Sequence, residues 1–417
     1  AVTNQIGNVT ATNFAPGGDV VIGGNTAVNV AVGGINAVRD ATNPSTVALA
    51  SKAGIVQTGA IVANNLTVTN VGAAAITLAN PSNDVDNFAA SNPSGNVNYN
   101  DADGFETGVL RPARPATVPI EIRGLGVILG SAGDYSTIRV VSGLQYKTLT
   151  IGAGIGATVG TVEFVTTSES DNPTGTFQGT LRDMIRYVND NQAIYTVNQT
   201  NKSQPMSLVF DESGYPVSTI TVGAAALPTV NRAVWIDGGQ LEASVLAGGQ
   251  TRLNVAQGAT SLPYGLMFAP AIAAVPGKAP AYPGSAGSTI EHLAMYGFTK
   301  GSALVLGSGN NTLTDFYAGL DATGAFKASN FVGLDVTGIA ATGNQIGTVV
   351  VDPLTVNRFG GNTSAGILIR NGAAGNKVYG SIIGDDTGFT PALANGDGIR
   401  ISGATGSVIG TPDAVQP

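Results

Sequence analysis

Four polar residues, Asn311, Asn344, Asn376 and Ser407, each precede a short apolar strand, and they recur at intervals of 33, 32 and 31 residues. The same spacing carries Gly366-Ile367-Leu368-Ile369 onto Gly398-Ile399-Arg400-Ile401. Upstream, Ile290-Glu291-His292-Leu293 matches Leu313-Thr314-Asp315-Phe316 at a spacing of 23. Two of the longer intervals hold an Asp-Thr-Gly-like turn, at Asp321-Ala322-Thr323-Gly324 and Asp386-Thr387-Gly388. A unit of about 23 residues, lengthened at one corner by a loop of roughly ten, accounts for both spacings. Strands this short cannot bury an apolar face alone. Stacked at about 4.8 Å, however, each coil pairs its backbone above and below, and a continuous interior forms. The spacing therefore predicts an all-β parallel β-helix. Asparagine suits a recurring corner because it tolerates left-handed backbone and its amides bond along a stack. These asparagines read as structural rather than ligand-binding.

The first hundred residues have a shorter rhythm. Leu66-Thr67-Val68-Thr69 and Ile76-Thr77-Leu78 are echoed by Asp84 to Phe88 and by Val97-Asn98-Tyr99, at about 19 to 21 residues. Between Val109 and Val165 strands continue without a clear period, and Arg111-Pro112-Ala113-Arg114-Pro115 marks the expected break. One helix is predicted near the middle, where Leu181, Met184, Ile185 and Val188 fall at i, i+3, i+4 and i+7 behind Thr180 as N-cap. The organisation expected is thus solenoid-like repeats over 1–110, an irregular β segment over 111–165, and a helix-capped parallel β-helix over 166–417.

Composition narrows the function. Charged residues are 11% and the net charge is −8 without a Lys/Arg cluster, which argues against nucleic acid. No apolar run is long enough for a membrane-spanning helix. With no cysteine there is neither a disulfide framework nor a thiolate metal site, and with one histidine no two-imidazole chemistry. Ala1-Val2-Thr3-Asn4 has no basic or apolar leader pattern, so any secretion signal is expected to be removed or not included. A long, acidic, cysteine-free chain rich in Gly, Asn and Thr fits a bacterial extracellular protein.

Thr166-Thr167-Ser168-Glu169-Ser170-Asp171 leads into Gly179-Thr180-Leu181-Arg182-Asp183-Met184-Ile185, and then come Leu208-Val209-Phe210, Ser218-Thr219-Ile220-Thr221, Leu227-Pro228 and Val234-Trp235-Ile236-Asp237-Gly238. This succession is similar to a segment of large bacterial surface proteins in which a G-[ST]-L-R helix precedes right-handed parallel β-helix repeats. The stretch from Leu66 to Gly108 resembles repeats of filamentous-haemagglutinin-type adhesins and autotransporter passengers. The resemblance covers about two thirds of the chain and implies a right-handed β-helix, displayed on the cell surface or secreted, that acts by contact.

Glycoside cleavage needs two suitably spaced carboxyl groups. Gly384-Asp385-Asp386 resembles the double aspartate of polygalacturonases, but their histidine-glycine and Arg-x-Lys elements are missing, and turn chemistry explains Asp386 more simply. His292, in a strand beside Glu291, reads as a satisfied lone histidine. Calcium is the one cofactor considered. Asp84, Asp86, Asp101 and Asp103 supply clustered oxygens, yet Tyr99 and Leu110 occupy the first and twelfth positions of an EF-hand register, and a solvated acidic turn is the simpler reading. No catalytic residue is assigned. The leading expectation is an adhesin or passenger whose irregular loops, at 264–287 and 349–364, touch a glycan or protein of a host, a neighbouring cell or the matrix. The alternative is an extracellular structural protein that binds copies of itself in a layer or filament, favoured by the lack of an evident cap after Val408-Ile409-Gly410. The third is a polysaccharide-active enzyme.

Overall fold

A computed structural model describes residues 9–13, 19–23, 30–39, 43–92, 94–107, 122–131, 137–140, 144–151, 161–166, 180–189, 193–195, 206–210, 219–223, 225–239, 252–258, 261–272, 282–324, 326–349, 356–384 and 393–410. The protein is mostly β, 54% strand and about 4% helical, with one helix and parallel sheets. It divides into two compact units: 1–165 with 190–206, and 166–189 with 207–417. Arg111 to Pro115 and Asp385 to Gly388 lie outside the described residues.

In the first unit, strands pair in parallel with the next-but-one strand along the chain. Ile61–Asn70 lies between Thr46–Ser51 and Asp84–Asn92. Ile76–Leu78 pairs with Val97–Asp101 in the expected register, Ile76 opposite Val97. The neighbouring pairing differs slightly from expectation: Leu66 faces Phe88, 22 residues on rather than 19 to 21. Asparagines set that register. Asn87 Nδ2 donates to Asn65 Oδ1 at 3.1 Å, and Asn70 Nδ2 to Asn92 Oδ1 at 3.3 Å, each pair 22 residues apart. Inside, Phe88 stacks on Tyr99 with centroids 3.9 Å apart, and Phe105 meets both rings edge-on. The aperiodic middle segment is still registered, since Ile122–Ser131 pairs with Leu144–Ile151 and Val97–Asp101.

The second unit contains the five-stranded parallel sheet Tyr264–Phe268, Ser302–Leu306, Val332–Thr337, Ala365–Arg370 and Asp397–Ser402. Alternation puts Leu266, Leu304, Leu334 and Ile367 in one register row, fully buried. Beside it runs the asparagine column. Asn311 Nδ2 donates to Asn344 Oδ1 at 2.8 Å, and Asn344 Nδ2 to Asn376 Oδ1 at 2.9 Å. The same oxygens accept the backbone N–H of Asn311 and Asn344. Ser407 keeps the register but ends the side-chain column, because the Asn376 amide turns to Ala341 O. A second column, Asn330, Asn362 and Asn395, repeats the geometry with amide contacts of 3.0 and 2.9 Å. The Asp321 corner is a turn: Gly324 N donates to Asp321 O and Thr323 Oγ1 to Asp321 Oδ1, with Gly324 at φ +73°.

The helix spans Leu181–Asn189 and opens with a capping box, since Asp183 N donates to Thr180 Oγ1 while Asp183 Oδ2 accepts from Thr180 N. Leu181, Met184, Ile185 and Val188 are buried. Arg182 donates to the carbonyls of Ala225 and Ala226, and Asn189 to that of Thr229, tying the helix to the following loop. Met184→Ala is expected to cost about 3 kcal/mol in urea unfolding, the mid-range for a buried aliphatic truncation. A loss below about 1 kcal/mol would mean that the stripe is not packed.

Candidate functional site

Ionisable and aromatic side chains gather in the second unit where two strands turn a corner. Thr289–Tyr296 changes partner at His292: Thr289 to Glu291 pair with Trp235 to Asp237, and Leu293 to Tyr296 pair with Leu253 to Ala256. On the next strand, Asp315 holds the equivalent place, between the pairs Glu291–Thr314 and Leu293–Phe316. Both corner residues are left-handed, His292 at φ +55° and Asp315 at φ +48°. That conformation costs an ordinary L-residue roughly 1–2 kcal/mol, and here it stacks an imidazole against a carboxylate.

The contacts are specific. His292 Nδ1 lies 2.7 Å from Asp237 Oδ1, which also accepts Gly239 N at 2.8 Å. His292 Nε2 faces Asp315 Oδ2 at 3.6 Å, beyond hydrogen-bonding distance. Asp315 is 1% exposed; its Oδ1 takes Arg252 Nε at 2.5 Å, whereas its Oδ2 has no hydrogen-bond partner. Arg252 also covers the Tyr317 ring at 4.0 Å, with Arg358 5.4 Å from the same centroid. Glu291 accepts from Trp235 Nε1 at 2.5 Å and from Thr314 Oγ1 at 3.4 Å. The hydrogen bond to Asp237 raises the His292 pKa against the opposing effect of burial. Burial raises that of Asp315 against the pull of Arg252. Donor atoms of Asp237, Glu291 and His292 lie within 4.8 Å of one another, the one such grouping of His, Asp and Glu found among the described residues.

A second feature lies on the outer face of the five-stranded sheet. The register row opposite that of Leu266 reads Met267, Val305, Asp335 and Leu368; Met267 is half-buried and the other three are buried. Together with half-buried Tyr264 and exposed Phe331 it lines a groove of about 340 Å³. Lys300 and the ion pair of Arg370 with Asp335, at 2.7 Å, border it.

The four aspartates considered for calcium do not converge. Arg39 bridges Asp84 and Asp86. Asp101 is fully buried and caps its own turn, accepting Asp103 N, Gly104 N, Val85 N and, at 2.6 Å, the Tyr99 hydroxyl. Burial pushes its carboxyl up to about 7, although these donors pull the other way. Asp103 lends the cluster its backbone N–H. Asp385 and Asp386 lie outside the described residues. His292 does have a partner, as expected, but the wider cluster has no sequence signal, because Asp237, Arg252 and Asp315 are far from one another in the chain. The stretch beginning at Tyr264, expected as loop, opens with the strand Tyr264–Phe268. No protein-family model, curated protein or solved structure matches the chain.

Proposed function

We propose that this chain is a right-handed parallel β-helix, displayed on the cell surface or secreted, that works by contact and holds a glycan chain in the groove over its five-stranded sheet. Parallel pairing at near-constant sequence steps, with two asparagine columns buried but for Asn395, supports the β-helix reading. Right-handedness follows from the strong preference of parallel crossovers for that hand.

The observation that carries the contact reading is the outward apolar row. Met267, Val305 and Leu368 face away from the Leu266 row; Met267 is half-buried and Val305 and Leu368 are 7% and 8% exposed, so they form the floor of the groove rather than an exposed patch. A concave apolar floor with a few polar groups at its rim is the form of a small-ligand site. Its chemistry suits a saccharide: Tyr264 and Phe331 offer ring faces to C–H surfaces, and the Asp335–Arg370 pair offers acceptors and donors to hydroxyls. Lys300 adds a positive charge for an acidic sugar.

Titration of the full chain with neutral and acidic oligosaccharides tests this. Binding without product formation is expected, and Phe331→Ala should weaken it about tenfold, since that ring is 47% exposed and its loss spares the interior. Saccharide cleavage would move the protein to the enzyme class. No binding, with ordered layers or fibres seen by electron microscopy, would favour the self-assembling alternative.

A further inference from the structure

We propose that Asp237, Glu291 and His292 form a binding site for a divalent transition-metal ion of the zinc class, with His292 as its nitrogen ligand through Nδ1 and Asp315 as the group that orients the ring. The inference is independent of the glycan groove, and either can fail without the other.

Three observations converge. The first is geometric: one imidazole nitrogen and two carboxylates present atoms within 4.8 Å of one another. Three such ligands plus an open position are a common zinc arrangement. The second is charge. Asp237, Glu291 and Asp315 surround His292, and the guanidinium ion-paired with any of the three among the described residues is Arg252, held on Asp315. Once His292 is neutral, as ligation requires, the group carries two uncompensated negative charges, which one divalent ion balances. The Arg358 guanidinium sits farther out, over Tyr317.

The third observation points to the ligand most directly. Asp315 Oδ2 is buried, lacks a hydrogen-bond partner and faces His292 Nε2 at 3.6 Å. A buried carboxylate oxygen without a donor is costly. A metal on Nδ1 displaces the proton shared with Asp237 and fixes the tautomer with hydrogen on Nε2. A small rotation of the ring then brings that N–H onto Asp315 Oδ2. Metal-bound histidines usually donate their second N–H to a carboxylate in this way, and losing that support typically weakens metal binding 10- to 100-fold. Imidazole with two carboxylates and no sulfur suits zinc, cobalt or nickel better than calcium or magnesium.

The test is calorimetric titration of the full, chelator-treated chain with zinc chloride, with calcium and magnesium chloride in parallel. One zinc per chain is expected, with calcium and magnesium bound at least 100-fold more weakly. His292→Asn keeps a residue that accepts the left-handed corner while removing the nitrogen ligand, and it should weaken zinc binding by 100-fold or more. Asp315→Asn should retain one site per chain but weaken it 10- to 100-fold. Circular dichroism and thermal melting confirm that each variant is folded. The proposal is overturned if folded wild-type chain takes up no zinc, if calcium binds as well as zinc, or if folded His292→Asn binds zinc like the wild type.

Discussion

Replacing Asn344 with alanine is expected to destabilise the second unit by about 4 kcal/mol. Asn344 Oδ1 accepts both the backbone N–H and the amide of Asn311, and its own amide donates to Asn376 Oδ1. All three residues are buried. The Asn311 amide would keep Ser308 as a partner, but the Asn311 backbone N–H would lose its acceptor in the interior. An orphaned buried donor costs about 1–3 kcal/mol, and each further lost bond about 1 kcal/mol. Asn371→Gly is the control. Asn371 is exposed at φ +57°, a conformation glycine accepts freely, so a change within about 1 kcal/mol is expected. Urea unfolding of both variants decides the matter. Equal losses would mean that the column does not stabilise the stack beyond what any corner asparagine does.

Stability of the first unit is expected to fall as pH rises from about 4 to about 7, because of Asp101. Its carboxyl is pushed from 3.8 up to about 7 in the folded chain. Within that window the folded state holds a proton that the unfolded state has released, so raising the pH favours unfolding. The contribution is fully present below the unfolded value, lost progressively on approach to the folded value, and constant above it. A shift of this size corresponds to roughly 4 kcal/mol. Asp101→Asn removes the charge while retaining an acceptor, so its stability should lack this component of the pH slope. Parallel slopes for wild type and variant between pH 4 and 7 would show that Asp101 does not titrate there.

Several elements were legible because they depend on local periodicity. The helix from Leu181 to Asn189 follows from a 3.6-residue apolar stripe and one capping threonine. Strand pairing around Ile367–Ile399 follows from a repeated tetrapeptide, and the Asn311–Asn344–Asn376 column from a repeated polar residue. The column at Asn330, Asn362 and Asn395 has the same spacing, but its flanking sequences differ, so no repeated motif marks it. In the first unit Leu66 pairs 22 residues on rather than 19 to 21, because asparagine contacts between coils set the register and the strand pattern does not mark them.

The sequence by itself determined that short strands recur at a nearly fixed step, that polar corner residues stack, and that one amphipathic helix interrupts them, since each is a statement about neighbours within one or two repeats. Only the tertiary structure decided that Asp237, Arg252, His292 and Asp315 share a site. His292 is 55 residues from Asp237, and Arg252 is 63 from Asp315. Such distances close through loops whose lengths follow no period. The left-handed turns at His292 and Asp315 also reset which way each strand's side chains face. A two-residue alternation carries no mark of that reset, so the cluster exists only once the coils are stacked.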